Sequence, residues 1–447
     1  MAPKHIVKNK SFVKKTYIIY NIKIVFLLKI IFKRYFNFMK QEGLNILDNI
    51  KTKIKEIENE LINIRRHIHS YPELSNQEFN TMEFISNYLN LHEIKHKTKI
   101  ANTGIIADIL GEDKSFTIAF RADMDALPIE DLKHCSYASK NKGVCHACGH
   151  DVHTAINMGI ARIFSNKDKN FIPPCNIRLI FQPAEETTGG ASNMIKENAL
   201  HNVNITYALH VDVNSNVGNI KITDSIVNAS CLDFKIKIYG KKSHGANPAD
   251  GVDAIVVSAN IINAIQTIIS RSTYVGENAV ITIGTINGGK ATNVICDYVE
   301  MTGTIRALRD TTINSIINKM KKIIKNIAIS MEADGEFIET TYFPGLINWK
   351  EAANIIRENA IDLLGEKNVL NIKPSLGAED FSYFILNKPG AFFNLGARNN
   401  KKSITPNAHS GLFDVDESCI AIGLTLQIMN IYKTYLQRDN FPMGMHR

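Results

Sequence analysis

The stretch Phe116-Thr117-Ile118-Ala119-Phe120-Arg121-Ala122-Asp123-Met124-Asp125 decides the fold. Its first five residues read as a buried strand, and the chain turns charged where that strand ends. The same change recurs twice. Ile177 to Phe181 runs into Gln182-Pro183-Ala184-Glu185-Glu186, and Tyr207-Ala208-Leu209 runs into His210-Val211-Asp212. Helical patterns over 151–165 and 187–199 lie between these strands. Strands that alternate with helices predict an α/β architecture with a mostly parallel sheet flanked by helices. Ligands of such sheets bind beyond the carboxyl ends of the strands, which is where the polar clusters fall.

Upstream, Leu44, Leu47, Ile50, Ile54, Ile57, Leu61 and Ile64 recur every three or four residues and predict an amphipathic helix. The pattern changes near residue 229. Leu232, Phe234, Ile236 and Ile238 alternate with polar residues, as in a strand with one exposed face. A helix near 251–270, strands near 279–284 and 298–306 and a helix near 311–332 follow. This β-α-β-β-α order predicts an α+β two-layer unit with one open sheet face. It is inserted, because α/β patterning returns over 350–432. The expected division is 39–228, the inserted 229–340, 341–437, and a tail at 438–447. A chain of 447 residues suits several such units.

Hydrophobic residues at 45% and charged residues at 21% exclude a disordered chain. Seven sparse cysteines, an odd number, argue against a disulfide framework and for a reducing cytoplasm. The net charge of +8 suggests a nucleic-acid or membrane partner. However, residues 1–38 hold nine cations and no acid, which leaves residues 39–447 at −1. Nothing global in the body recruits nucleic acid. Segment 16–38 is apolar, but Lys23 and Lys29 break it below the length of a spanning helix. It also lacks the small residues of a signal-peptide cleavage site. We expect residues 1–38 to stand outside the fold, with translation naturally starting at Met39. A basic helix lying on a membrane surface is the alternative, and any membrane association depends on it.

Chemistry concentrates in Cys145-His146-Ala147-Cys148-Gly149-His150-Asp151-Val152-His153, where two thiols and three imidazoles lie within nine residues. Thiolate and imidazole suit zinc, and imidazole also suits manganese or cobalt. The Cys145-x-x-Cys148 spacing also fits a redox pair or half a zinc knuckle. A knuckle needs a second cysteine pair nearby, and the sequence has none. Glu185-Glu186, His210, Glu379-Asp380 and His409 add ligand-type groups, several at strand ends. His67, His69, His153 and His201 read as structural or surface residues. Cys135, Cys175, Cys231, Cys296 and Cys419 read as small buried hydrophobes.

From about residue 45 to 432 the sequence resembles the metallopeptidases of family M20, in particular the amidohydrolase branch, subfamily D. The matching stretches include His67-Ile68-His69-Ser70-Tyr71-Pro72-Glu73-Leu74, Arg121 to Pro128, His146 to Asp151, and Gln182 to Glu186. Further on come Ser243 to Pro248, Asn293-Val294-Ile295, Gly303 to Arg306, and Ala378 to Phe381. The resemblance implies a metal-dependent hydrolase of N-acyl amino acids. Its two divalent ions, manganese foremost and zinc or cobalt next, would sit on Cys148, His150, Glu186, His210 and His409. Cys148 would bridge them, and Asp123 and Asp125 would lie just behind the ligands. Glu185 would be the general base, and Asn293 and Arg306 would contact substrate. The inserted unit would be the family's lid and dimerisation domain, sending His244 into a partner subunit's site in a homodimer. Two departures stand out: Cys145 where the family usually has Met, and Gly411 where Pro is common. The alternatives are a dipeptidase or carboxypeptidase of the same fold, a metal or redox protein using Cys145 and Cys148, and a catalytically dead binding module.

Overall fold

The computed structural model describes residues 48–167, 171–187 and 189–441. The expectations for residues 1–38 and for Leu44 and Leu47 lie outside them. The chain divides into two compact units, Met1–Ile57 and Glu58–Arg447, and the second carries everything below. It opens with a helix (α1, 58–70 within this unit), in which Leu61, Ile64 and Ile68 are buried. Then follow α2 (Phe79–Leu91), β1 (Lys95–Ile100), β2 (Gly104–Ile109), β3 (Asp113–Asp123), α3 (His150–Ile163) and β4 (Cys175–Gln182). Next come α4 (Gly190–Lys196), β5 (Ile205–Asn216), β6 (Ile220–Ile222) and β7 (Ile226–Asn228).

The inserted module comprises β8 (Ser230–Tyr239), α5 (Ala254–Ser272), β9 (Ala279–Gly288), β10 (Tyr298–Ala307), α6 (Asp310–Ser330) and β11 (Asp334–Phe343). The chain then returns through β12 (Leu346–Ile347), α7 (Lys350–Leu364), β13 (Val369–Asn371), α8 (Ser382–Asn387), β14 (Gly390–Arg398) and α9 (Ser418–Leu436).

The main sheet has eight strands in the order β1-β2-β4-β3-β5-β14-β6-β13. Its centre, β4-β3-β5-β14, is parallel, as is the β6–β13 pair. The other pairs, β1–β2, β2–β4 and β14–β6, are antiparallel. The central strands are apolar on both faces because helices cover both. In β3, every residue from Phe116 to Asp123 is buried. Helix α3 packs against β3 and α9, and all but one of its residues are buried. Gly159 permits that approach, since a Cβ there would stand 2.8 Å from Leu424 Cδ2.

The inserted module is a separate antiparallel sheet, β11-β8-β10-β9. One face of it carries α5 and α6. Leu232, Phe234, Ile236 and Ile238 of β8 point into a core with Val257, Ile261 and Ile265 of α5 and Ile316 and Met320 of α6. Helix α5 is long and apolar enough to cross a membrane by length and composition, yet this core takes its apolar stripe. Its start is fixed by Asp253, whose carboxylate accepts from the backbone N–H groups of Ile255 and Val256.

The periodicity did not reveal β11. It is an edge strand, largely exposed, with Asp, Glu and Thr at most outward positions, so little apolar alternation marks it. The helix expected over 187–199 is shorter, Gly190–Lys196, because Glu185–Thr187 form a turn at the mouth of the sheet.

Candidate metal centre and catalytic cleft

The polar clusters gather at the carboxyl ends of β3, β4 and β5. His210 lies in the middle of β5, just past the last β3 pairing at Ala208, because the strand expected to end there runs on to Asn216. Its Nδ1 donates to the Val211 carbonyl at 2.8 Å, which leaves Nε2 as the free lone pair. That Nε2 lies 3.3 Å from Cys148 Sγ. His150 starts α3. Its Nδ1 donates to the Asp125 carbonyl at 2.9 Å, with Asp125 Oδ1 at 3.2 Å. Its Nε2 is buried without a hydrogen-bond partner. Both imidazoles are thus held in the tautomer that offers Nε2 to a cation.

Gly149 makes this junction feasible. It has φ +92°, and a Cβ there would meet Val211 Cγ2 at 2.2 Å. Only glycine lets the loop turn into α3 that close to β5.

The two glutamates follow β4. Ala184 adopts φ +54°, a left-handed conformation that costs a non-glycine residue about 1 kcal/mol or more. Its N–H is held at 2.9 Å by the buried Glu78 carboxylate. This turn aims Glu185 and Glu186 into the cleft. Glu186 Oε1, buried and without a hydrogen-bond partner, faces His409 Nε2 at 3.4 Å and His150 Nε2 at 3.9 Å. His409 itself sits at φ +59° on an exposed loop, and its N–H donates to the Ala147 carbonyl at 2.8 Å.

The ligand atoms form two groups that share one thiol. Cys148, His150 and His210 lie within 4.8 Å of one another, and so do Cys148, Glu186 and His409. Two orphaned buried acceptors, His150 Nε2 and Glu186 Oε1, point between these groups. This donor set fits a pair of divalent ions. Electrostatics agree. Burial pushes the Cys148 thiol up, so without a cation it stays protonated. Burial would lower His150, but the Asp123 carboxylate outweighs it and holds the imidazole well above its ordinary range, so a cation at Nε2 takes the place of a proton there. Burial also opposes ionisation of Glu186, yet the His409 and His150 imidazoles carry it below the usual carboxylate value.

Glu185 differs. Burial, then the negative charges of Glu379, Asp380 and Glu186, push its carboxyl well above the usual carboxylate range. Behind the site, Arg121 is buried and binds Asp123 Oδ2 at 2.5 Å and Asp380 Oδ1 at 2.6 Å. Asp380 also accepts from Gln182 Nε2 at 2.7 Å and from the Ala191 N–H at 3.1 Å. Asp380, grouped by sequence with the ligand-type residues, is therefore a clamp between β3, β4 and α4. Asp123 Oδ1 also takes His153 Nδ1 at 2.5 Å, and His153 Nε2 accepts the Val211 N–H at 3.0 Å. Both nitrogens of His153 are committed to structure.

A cleft of about 600 Å³ opens over these residues, and the inserted module contributes part of its wall. Arg306 of β10 and Asp233 of β8 reach its wall, and Arg306 Nη1 donates to the Leu376 carbonyl at 2.8 Å. His244 and Asn293 do not reach it. They lie together on the exposed rim of the module, where His244 bridges to Val294 and the Asn293 carbonyl accepts the Gly245 N–H at 2.8 Å. Sequence reasoning missed Glu78, and it placed Gln182 in the cluster after β4 without giving it a role. Glu78 shows no pattern in sequence because its partners, Thr103 and Ala184, are distant.

Known proteins bear on this geometry. The profile of Peptidase family M20/M25/M40 matches residues 119–429. The chain belongs to peptidase family M20. It is similar to the N-acetyl-L-cysteine deacetylase of Bacillus subtilis, at 36% identity over 82% of this chain and 86% of the relative. It is also similar to thermostable carboxypeptidase 1 of Saccharolobus solfataricus, at 36% identity over 85% of this chain and 96% of the relative. Among solved structures, the Bacillus subtilis YXEP protein, a dinuclear metal-binding peptidase of the M20 family, matches with a TM-score of 0.74 and 31% identity. That match covers 85% of this chain and 99% of the other. This M20 chain is a metal-dependent hydrolase of amide bonds.

Proposed function

We propose that this M20 hydrolase cleaves the amide bond of small N-acyl amino acids, as an enzyme of the amidohydrolase branch, subfamily D. The observation that carries this reading is the shared thiol. Cys148 completes two donor sets, His150 with His210 and Glu186 with His409, and Glu185 lies beside both, within 4.8 Å of ligand atoms of His150 and Glu186. The cofactor is a pair of divalent ions, manganese foremost and zinc or cobalt next. When bound, such ions lower the pKa of water toward 7 and polarise an acyl oxygen.

The remaining work falls to the protein. Glu185 takes the proton of the attacking water and delivers it to the departing amine nitrogen. Its raised proton affinity suits both halves of that transfer, since the carboxyl must hold the proton before giving it up. Asp125 fixes the His150 ring, and Val211 fixes the His210 ring. Arg306, at the cleft wall, meets the carboxylate of the amino acid.

His244 and Asn293 act in trans. Because they lie outside the cleft of their own chain, the reading needs a homodimer in which the 229–340 module serves as lid and dimerisation domain. His244 of one subunit then donates to the oxyanion in the other subunit's cleft. No nucleic acid takes part, and the enzyme works in the cytoplasm.

A carboxypeptidase reading competes, because relatives of equal similarity carry that name. Metal-reconstituted protein assayed on acetyl, benzoyl and indoleacetyl amino acids, N-acetyldiaminopimelate and dipeptides decides between them. Turnover confined to dipeptides and longer peptides would reject the proposal.

A further inference from the structure

A second cluster of metal-ligand type lies outside the cleft, behind the loop that carries Cys148 and His150. His69 from α1, Asp131 from the loop after Pro128, and Cys145 from the start of the 145–150 segment bring their ligand atoms within 4.8 Å of one another. Their side chains are enclosed. His69 is fully buried, the Asp131 side chain is 2% exposed, and Cys145 is fully buried.

The hydrogen bonds around His69 leave its Nε2 without a partner. Its Nδ1 donates to Asp151 Oδ2 at 2.8 Å, and Asp151 is held in turn by Arg65 Nε at 2.7 Å. Arg65 Nη2 also stands 3.4 Å from Nδ1. His69 Nε2 is buried without a hydrogen-bond partner and faces Asp131 Oδ2 at 3.5 Å, an oxygen that accepts the Ser139 N–H at 2.9 Å. With the proton on Nδ1, Nε2 offers its lone pair to a cation, and the Asp131 carboxylate and the Cys145 thiol stand beside it. A carboxylate behind an imidazole is also the usual arrangement that orients a metal-binding histidine. Two atoms bound to one tetrahedral ion stand about 3.3–3.7 Å apart, given bonds of about 2.0–2.3 Å. The His69–Asp131 separation already meets that spacing.

We infer that His69, Asp131 and Cys145 form a separate binding site for one thiol-preferring divalent cation of the zinc or cobalt class. His146 is the further donor at hand. It is buried with both ring nitrogens unpartnered, and its ring centre is 6.2 Å from that of His69. Thiolate ligation favours zinc and cobalt over manganese. The Cys145 thiol gives up its proton on binding, and the ion takes the electron pair of the resulting thiolate. Without the ion, burial holds that thiol up to about 12. Lys133 is the cation now in place, with Nζ 3.0 Å from Asp131 Oδ1 and 4.0 Å from Cys145 Sγ. Metal binding displaces it. The ion ties α1 and the 126–145 loop to the segment leading into Cys148. It acts as a structural pin for the catalytic loop and takes no part in the chemistry.

The test uses full-length protein produced with cobalt in the growth medium, because an enclosed site loads as the chain folds. Cys148→Ser removes the thiolate that the two donor sets of the cleft share. In that variant the near-ultraviolet thiolate-to-cobalt absorption should persist with a single equivalent of bound cobalt, and it should vanish in Cys148→Ser/Cys145→Ser. Absence of the band in folded Cys148→Ser, or its survival in the double variant, would overturn the site. An independent arm avoids disturbing the cleft. Wild-type protein produced with manganese and zinc together in the growth medium should hold one further equivalent of zinc that Cys145→Ser lacks, and Lys133→Met should retain that zinc against a chelator longer than wild type. Equal zinc uptake by wild type and Cys145→Ser rejects the inference while leaving the cleft reading intact. Loss of the manganese ions in Cys148→Ala speaks only to the cleft.

Discussion

Replacing Glu185 by Gln separates proton transfer from everything else the cleft does. The substitution keeps the shape of the side chain and removes only its ability to hold a transferable proton. Glu185 belongs to neither of the two donor sets that meet at Cys148, so bound metal should stay at the wild-type level. General acid–base catalysis of this kind contributes about 10²- to 10⁴-fold. At about 1.4 kcal/mol per factor of ten, the barrier should rise by roughly 3–5 kcal/mol. The loss should appear in kcat, with KM little changed.

A second readout guards against simple disruption. In the metal-free protein the Glu185 carboxyl is raised by burial and by Glu379, Asp380 and Glu186. A folded state that binds more protons than the unfolded one loses stability as pH rises. Wild-type apoprotein should therefore weaken as pH climbs from the ordinary carboxylate range toward the raised Glu185 value. The Gln variant, which never ionises there, should weaken less. Its Tm should match or exceed that of wild type at neutral pH, and the gap should close near pH 4. Wild-type turnover in a variant shown to hold its metal would remove Glu185 from the base role. A lowered Tm at neutral pH would refute the electrostatic account of the cleft.

Cys148→Ala or His409→Ala should reduce bound metal, which elemental analysis reads directly; unchanged stoichiometry contradicts the ligand assignment. His244→Ala should abolish most turnover while keeping metal. Mixing it with Glu185→Gln under subunit exchange should restore activity in heterodimers, and a mixture as inactive as its parents rejects sharing across subunits. Arg121→Met strips the counter-charge from Asp123 and Asp380 in a buried setting, so denaturant unfolding should show a loss of about 3–5 kcal/mol. Arg306→Ala should raise KM for N-acyl amino acids more than it lowers kcat, whereas equal KM values for acid and amide substrates would remove it from carboxylate recognition.

The α/β core was legible because its strands are continuous apolar runs that end in charge, as at Phe116–Asp125 and Ile177–Glu186. In the cleft only Glu185 and Glu186 sit at such a change; Cys148 and His150 stood out by the density of thiols and imidazoles over 145–153, and His409 by the family resemblance. What escaped was whatever depends on partners distant in the chain. Glu78 holds Ala184 across 106 residues, and Arg65 reaches Asp414 across 349. No local pattern announces such pairs. Strand β11 escaped because an edge strand needs little apolar alternation, whereas the mostly parallel sheet holds, with antiparallel pairs only at its flanks. His69 read as an ordinary structural histidine. Only its orphaned Nε2, opposed to Asp131, gives it chemical interest.

The chain leaves the main sheet through β7 and re-enters through β12, and these two short strands pair with each other, Asn228 opposite Leu346. Outgoing and incoming chain therefore run side by side as a two-stranded stalk. A module carried on such a stalk can tilt by flexing it, while the parallel strands that position His210 and Glu185 keep their register. It can also be shortened, exchanged or elaborated without rethreading the rest of the polypeptide. One hydrolytic core is thereby open to new substrate ranges through changes confined to a removable cap.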